Sequence, residues 1–154
     1  MKFRVKLKTK KVKTYQPKKK DIKRAWHLVD LKDEILGRAA SKIAHLLMGK
    51  NKVNYAPHMD MGDYVVVVNA KSVALSGRKK KQKVYRSHSG YPGGFKEVKF
   101  EKLIKEKPER IIEYAVSGML PKNRLHAKRL KRLKIFSGGK HKYEDKFGVK
   151  ENRK

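Results

Sequence analysis

The chain has 154 residues, with 43 Lys and Arg against 14 Asp and Glu. Its formal charge of +29 compares with roughly 2–8 for a balanced domain, and self-repulsion at that charge argues against a freely diffusing enzyme with no polyanionic partner. The absence of cysteine removes disulfides, zinc fingers, iron–sulfur clusters and cysteine nucleophiles, and no apolar run approaches the ~18–20 residues that span a membrane.

The charge is uneven. Residues 1–24 carry +11, residues 25–77 carry +1, and residues 78–154 carry +17. The near-neutral block is where a core can form without opposing its own charge. The expected organisation is therefore a basic N-terminal arm at 1–24, an α/β domain at 25–136 with basic loops and a basic helix, and an irregular basic tail at 137–154. The first 24 residues hold no apolar segment of a secretory signal. They do hold the lysine run Lys18, Lys19, Lys20 and then Arg24, which reads as an arm that orders against phosphate.

In chain order, Trp26-His27-Leu28-Val29-Asp30 reads as a short strand. A turn through Lys32, Asp33 and Glu34 leads to a helix from Leu36 to Gly49. Leu36, Ala40, Ile43, Ala44 and Leu47 share one face of it, Arg38 and Lys42 lie elsewhere, and Gly49 is the stop. The run Tyr64-Val65-Val66-Val67-Val68 is β-branched throughout and suits a strand covered on both faces, as in a parallel sheet. Strand, helix and strand make a βαβ unit. Ala74-Leu75-Ser76 is expected to be extended. A basic cluster follows, Arg78, Lys79, Lys80, Lys81 and Lys83, then a loop rich in Gly and aromatics that holds Tyr85, His88, Ser89 and Tyr91. Phe100, Leu103 and Ile104 begin a helix. Pro108 opens a second one with the stripe Ile111, Ile112, Ala115, Met119. Asn123 is expected to cap a third helix over 124–133. Ile135 and Phe136 are expected to close a last strand.

No enzyme chemistry stands out. Gly37 is alone after the first strand, so the dinucleotide motif is missing, although a helix start there can take an RNA phosphate. His88-Ser89 lacks a nearby acid and the nucleophile-elbow spacing. The six histidines show no metal-ligand pattern. Asp60 and Asp63, either side of Gly62, read as a turn that caps the next strand.

The basic regions suit RNA. Lys and Arg supply charge and donors for phosphate oxygens, and counterion release makes such binding salt-dependent. Tyr55, Tyr85, His88 and Tyr91 stand in loops near these charges, where unpaired bases stack on rings; Tyr91 reads equally well as a cover for the core. Gly90, Gly93 and Gly94 would let the backbone approach a ribose. In 122–134 there are seven basic residues and no acid, namely Lys122, Arg124, Lys128, Arg129, Lys131, Arg132 and Lys134. They are expected around most of the helix, in contact with structured RNA. Exchanging Lys128, Arg129, Lys131 and Arg132 for Gln is expected to weaken binding and flatten its salt dependence.

The strings Lys23-Arg24-Ala25-Trp26, Leu36-Gly37-Arg38-Ala39-Ala40-Ser41, Gly49-Lys50, Tyr55-Ala56-Pro57-His58 and Gly62-Asp63-Tyr64-Val65 carry a family resemblance. So do Lys83-Val84-Tyr85, His88-Ser89-Gly90-Tyr91-Pro92-Gly93-Gly94, Lys107-Pro108-Glu109-Arg110 and Gly118-Met119-Leu120-Pro121-Lys122-Asn123-Arg124-Leu125. In order, from about Lys13 to His141, they resemble the universal large-subunit ribosomal protein L-thirteen family in its bacterial type. The resemblance implies a three-layer α/β/α fold with a four-stranded, mostly parallel sheet. It implies a structural constituent of the large ribosomal subunit that binds large-subunit rRNA and aids early assembly, with no catalysis and no cofactor. The implied partners are that rRNA and neighbouring large-subunit proteins; no membrane partner is expected, because no broad apolar face lies opposite the charge of 122–134, and no homo-oligomer is expected. The implied location is the cytoplasmic ribosome, with an organellar one left open.

The chain departs from the family in three places. Some ten residues precede the usual bacterial start, 78–83 has no acidic residue, and His141 is followed by Lys142 in place of Pro. The candidate RNA-binding residues are those basic and aromatic positions together with Lys50, Asn123, His58, Ser89 and His141. Two other readings remain: a regulatory module acting on mRNA off the ribosome, and an RNA-processing enzyme.

Overall fold

The computed structural model describes residues 16–147. Most of the expected N-terminal arm and the last seven residues of the expected tail lie outside them. The βαβ unit is present. Strand β1 (Trp26–Asp30) pairs in parallel with β2 (Tyr64–Val68), and helix α1 (Leu36–Met48) connects them. The apolar residues of α1 recur at helical spacing, so Leu36, Ala39, Ala40, Ile43, Ala44, Leu47 and Met48 are all buried along one side. Gly49 ends the helix in the left-handed region at φ 77°. Its N–H reaches the His45 and Leu46 carbonyls, and a side chain there would meet the Met61 carbonyl oxygen at 2.7 Å.

β5 (Leu133–Ile135) joins the other edge of β2, also in parallel, giving the order β1-β2-β5. The sheet has three strands among the described residues where four were expected. An isolated parallel bridge, Ile35 to Ala74, extends the pairing just past the carboxyl ends of β1 and β2. The residues expected in the Gly-aromatic loop form a separate antiparallel hairpin, β3 (Val84–His88) with β4 (Phe95–Lys99). Tyr85 and His88 are thus strand residues, which corrects their loop assignment. The basic cluster forms a single turn, α2 (Lys79–Gln82).

Helices α3 (Phe100–Glu106) and α4 (Pro108–Met119) begin where expected, with Pro108 at the first turn of α4. Strand register assigns the two faces of the sheet. Val29, Val65, Val67, Leu133 and Ile135 face α1 and α4 and form the main core with Phe100, Ile111, Ile112 and Val116. Trp26, Tyr64, Val66 and Val68 face the other way. There Trp26 stacks on Tyr64 with centroids 4.5 Å apart, and Tyr143 and Phe147 meet its ring at 5.2 and 6.4 Å. Those two rings come from a C-terminal segment with a short 3-10 turn at Glu144–Phe147. The second helical layer is thus replaced, among the described residues, by an aromatic cover. The three-layer expectation is thus not met among the described residues, and the described part of the tail is irregular apart from that short turn. β2 is buried from Val65 to Val68 because the two faces are both covered.

Candidate nucleic-acid interface

The cations divide into those used inside the protein and those left outside. Two carboxylates organise the inner set. Asp63, 1% exposed, precedes β2 and accepts hydrogen bonds from the Ala25 backbone N–H at 2.9 Å, from His27 Nε2 at 3.0 Å and from Lys52 Nζ. Lys52 Nζ also donates to the Met61 carbonyl at 2.9 Å and the Lys23 carbonyl at 2.6 Å. Burial pushes the Asp63 carboxyl up, but the donors from Lys52, Ala25 and His27 outweigh it and hold it below the usual carboxylate range. The turn expected at Asp60 and Asp63 thus ties the start of β1 to the loop after α1.

Asp60 takes the second share. Arg132 grips it with both terminal nitrogens, Nη2 to Oδ1 at 2.5 Å and Nη1 to Oδ2, and Nη2 also donates to the Leu47 carbonyl at 3.2 Å. A planar guanidinium fork matches a carboxylate in this way. Arg24 Nη2 donates to the Asp60 carbonyl oxygen at 3.3 Å, and Arg129 Nε lies 4.0 Å from Oδ1. Gly62 permits the crossing: a Cβ there would overlap the Leu47 carbonyl oxygen and crowd Arg132 Nη2 at 2.8 Å.

This geometry corrects two expected interface residues. Arg129 and Arg132 are 1% and 6% exposed, so they face Asp60 and not solvent. The third helix is also shorter than expected. α5 covers His126–Leu130, and Leu133 already lies in β5. Asn123 sits before it and accepts the Leu125 N–H at 3.0 Å in a local turn. The other basic residues of this stretch point outward. Lys122, Arg124, Lys128 and Lys131 are exposed and Lys134 half-buried, and no carboxylate among the described residues pairs with any of the five.

The remaining expected residues are spread over several elements. Lys18, Lys19, Lys20 and Arg24 are exposed ahead of β1, with Lys19 and Lys20 in a 3-10 turn. Arg78, Lys79, Lys80 and Lys81 are exposed around α2, and Arg38 is exposed on α1. Lys50, Tyr55 and His58 lie in the loop after α1, with Tyr55 half-buried. In the hairpin, His88, Ser89 and Tyr91 are exposed, Tyr91 at 75%. Gly90 and Gly93 hold φ of 88° and 70°, so turn geometry alone calls for glycine there. Tyr85 departs from the base-stacking expectation. Its ring packs on Tyr114 at 5.7 Å, with Lys83 Nζ 5.3 Å from its centroid. Its hydroxyl is buried without a partner, and burial pushes its pKa up to about 12. His141 is half-buried beside Phe136 at 5.9 Å, within the aromatic cover.

Sequence reasoning did not single out Lys52 or His27 as structural donors, nor His126, whose Nε2 lies 3.2 Å from the Ser117 carbonyl oxygen. Their partners are 9 to 36 residues away, beyond the reach of a local pattern. Among the described residues no group of His, Asp and Glu is placed to hold a metal ion, and no helix is long and apolar enough to cross a membrane.

A near-neutral parallel α/β core that consumes a few cations internally and, among the described residues, leaves most of the others outward without a carboxylate defines a small basic protein of the polyanion-facing class. The family model described as Ribosomal protein L13 matches residues 24–142, and the chain belongs to that family. It is 49% identical over 133 residues to the large ribosomal subunit protein uL13 of Thermoanaerobacter sp. (strain X514), covering 86% of this chain and 93% of that one. It is 53% identical over 130 residues to the uL13 of Geobacter sp. (strain M21), covering 84% and 92%. The uL13 of Nostoc sp. (strain PCC 7120 / SAG 25.82 / UTEX 2576) is 52% identical over 132 residues, covering 86% and 87%.

Proposed function

We propose that the chain is a structural constituent of the large subunit of the cytoplasmic ribosome, binding large-subunit rRNA and aiding its early assembly, beside neighbouring large-subunit proteins and without self-association. The family is one of ribosomal proteins, not of enzymes. The observation that carries the reading is the division of cations in 122–134. Two are buried on Asp60, and Lys122, Arg124, Lys128, Lys131 and Lys134 have no carboxylate partner among the described residues. A helix end this basic repels itself in water and is relieved by phosphate. The exposed lysines of α2, the arm from Lys18 to Arg24, and the exposed hairpin residues His88, Ser89 and Tyr91 extend the same surface.

The test is equilibrium binding of the full chain to a large-subunit rRNA transcript across a salt series. Burial restricts the informative exchange to Lys128→Gln with Lys131→Gln, since replacing Arg129 or Arg132 would perturb the fold. Removing two phosphate contacts should make the log–log salt slope shallower by ~1.5. An unchanged slope would show that these lysines face solvent in the complex. Crosslinking in cells should recover large-subunit rRNA; dominance of mRNA would favour a regulatory role instead.

A further inference from the structure

Residues of the β3–β4 hairpin alternate between its two faces. Tyr85 and Val98 oppose each other on the face that packs against the core. The pairs Arg86 with Glu97 and His88 with Phe95 therefore stand on the opposite face. All four are exposed, and Phe95 is 56% exposed although it is wholly apolar. Among the described residues no other ring meets it. The turn beside it is held in one shape. Ser89 N–H donates to the Gly94 carbonyl at 3.1 Å, Gly94 N–H to the Tyr91 carbonyl at 2.9 Å, and Gly90 N–H to His88 Nδ1 at 2.9 Å. The charge around this face has one sign. Residues 78–99 hold eight Lys and Arg and a single acid, Glu97, which already faces Arg86 at 3.5 Å. The six lysines of the segment have no carboxylate partner among the described residues.

We propose that Phe95 is a base-stacking residue, with an unpaired nucleotide of the large-subunit RNA lying on its exposed ring. The proposal rests on the RNA-binding reading above and adds to it a contact residue and the kind of nucleotide that residue takes. Charge selects the occupant. An apolar side chain of a partner protein would cover the ring but leave the lysines unanswered, whereas a nucleotide brings a π-face for the ring and an anion for the cations. The bonded turn and the strand pairing hold Phe95 in place before binding, which lowers the ordering cost of the contact. A base inside a duplex has both faces covered by its neighbours, so the ring selects a single-stranded or bulged position. It reads no base identity, because every base has a π-face and Phe95 has no polar side-chain atom.

The test uses the full chain and a large-subunit rRNA transcript in the salt series, with three exchanges at the one position. Phe95→Leu keeps apolar bulk and removes the ring, Phe95→Ala removes both, and Phe95→Trp enlarges the ring. The Leu and Ala variants should each bind at least about fivefold more weakly, the lower bound for a lost stacked base, with the salt slope unchanged because no charge is removed. The Trp variant should keep its affinity, and its added indole should be quenched on binding beyond any change that Trp26, the chain's one tryptophan, shows in the wild type. Thermal unfolding should stay close to wild type at so exposed a position; should the Ala variant unfold early, the comparison of Leu with Trp decides alone. Wild-type affinity in the Leu variant, or an unquenched added indole in the bound Trp variant, would overturn the stacking contact and leave the RNA-binding reading standing. A loss of affinity that appears only when other large-subunit proteins are present would overturn it in favour of a protein occupant. Absence of salt-dependent binding by the wild type would remove the broader reading, and the contact with it.

Discussion

Asp60→Asn provides a direct test of how the cations are divided. By charge counting alone, the change raises a net charge of +29 and should favour a polyanion. The structure predicts a different result. Arg132 is 6% exposed and has two of its hydrogen bonds on this carboxylate, and Arg129, 1% exposed, has Asp60 as its one ion-pair partner among the described residues. Removing one partner of a buried pair leaves an uncompensated charge and costs about 3–5 kcal/mol. That is a large part of the roughly 5–15 kcal/mol that stabilises an ordinary domain. For a chain of this size it corresponds to a fall in Tm of about 6–20 °C. The assay is urea and thermal unfolding of the free protein, with Lys131→Gln as a surface control expected within about 0.5 kcal/mol of wild type. A double exchange, Asp60→Leu with Arg132→Met, should recover part of the loss, because apolar replacement of a whole buried pair is often neutral. An Asp60→Asn variant within about 1 kcal/mol of wild type would refute the reasoning and show the two guanidiniums to be solvated.

Three further outcomes follow from the same geometry. Gly62→Ala should destabilise by at least about 2 kcal/mol in urea unfolding, since the clash is with the Leu47 backbone, which has no rotamer to move to; a neutral result would place that crossing further apart. Asp63 is held below its ordinary value in the folded state. Its contribution is therefore complete above the unfolded carboxyl pKa of about 3.9 and is lost as pH falls through the lower folded value. Asp63→Asn should be less stable at neutral pH and show a flatter acid limb, and an unchanged acid limb would remove Asp63 from the account. Tyr85 stays protonated to about pH 12 when folded but ionises near pH 10 when unfolded. Stability should fall between those two values in the wild type and not in Tyr85→Phe, as read by denaturant midpoints at alkaline pH.

The βαβ unit could be read from the chain because its signals are local. The apolar positions of α1 recur at helical spacing, and four consecutive valines in β2 need cover on both faces. Pro108 likewise marked the start of α4. The hairpin was hidden because Val84-Tyr85-Arg86-Ser87-His88 has little alternation, and only Tyr85 and Val98 of its two strands pack against the core. Glycines near its turn outweighed that weak strand signal. The burial of Arg132 was beyond local inspection, because its carboxylate lies 72 residues earlier in sequence. The interface residues were legible as a class, since an excess of cations marks a polyanion surface. Composition cannot separate the inward arginines from the outward lysines. The aromatic cover was missed for a similar reason: Tyr143 and Phe147 have no periodicity, and their partner Trp26 stands more than a hundred residues before them.

That cover has a consequence for synthesis. β1, α1 and β2 emerge first, but β5 and the rings of Tyr143 and Phe147 come from the far end of the chain. Until those residues leave the exit tunnel, one edge of β2 is unpaired, and Trp26 lacks the two rings that meet it. The domain therefore closes late and over long loops, the slow and aggregation-exposed regime of folding. A nascent chain with +29 formal charge is protected from self-association through that interval by the repulsion that its phosphate-rich destination later neutralises.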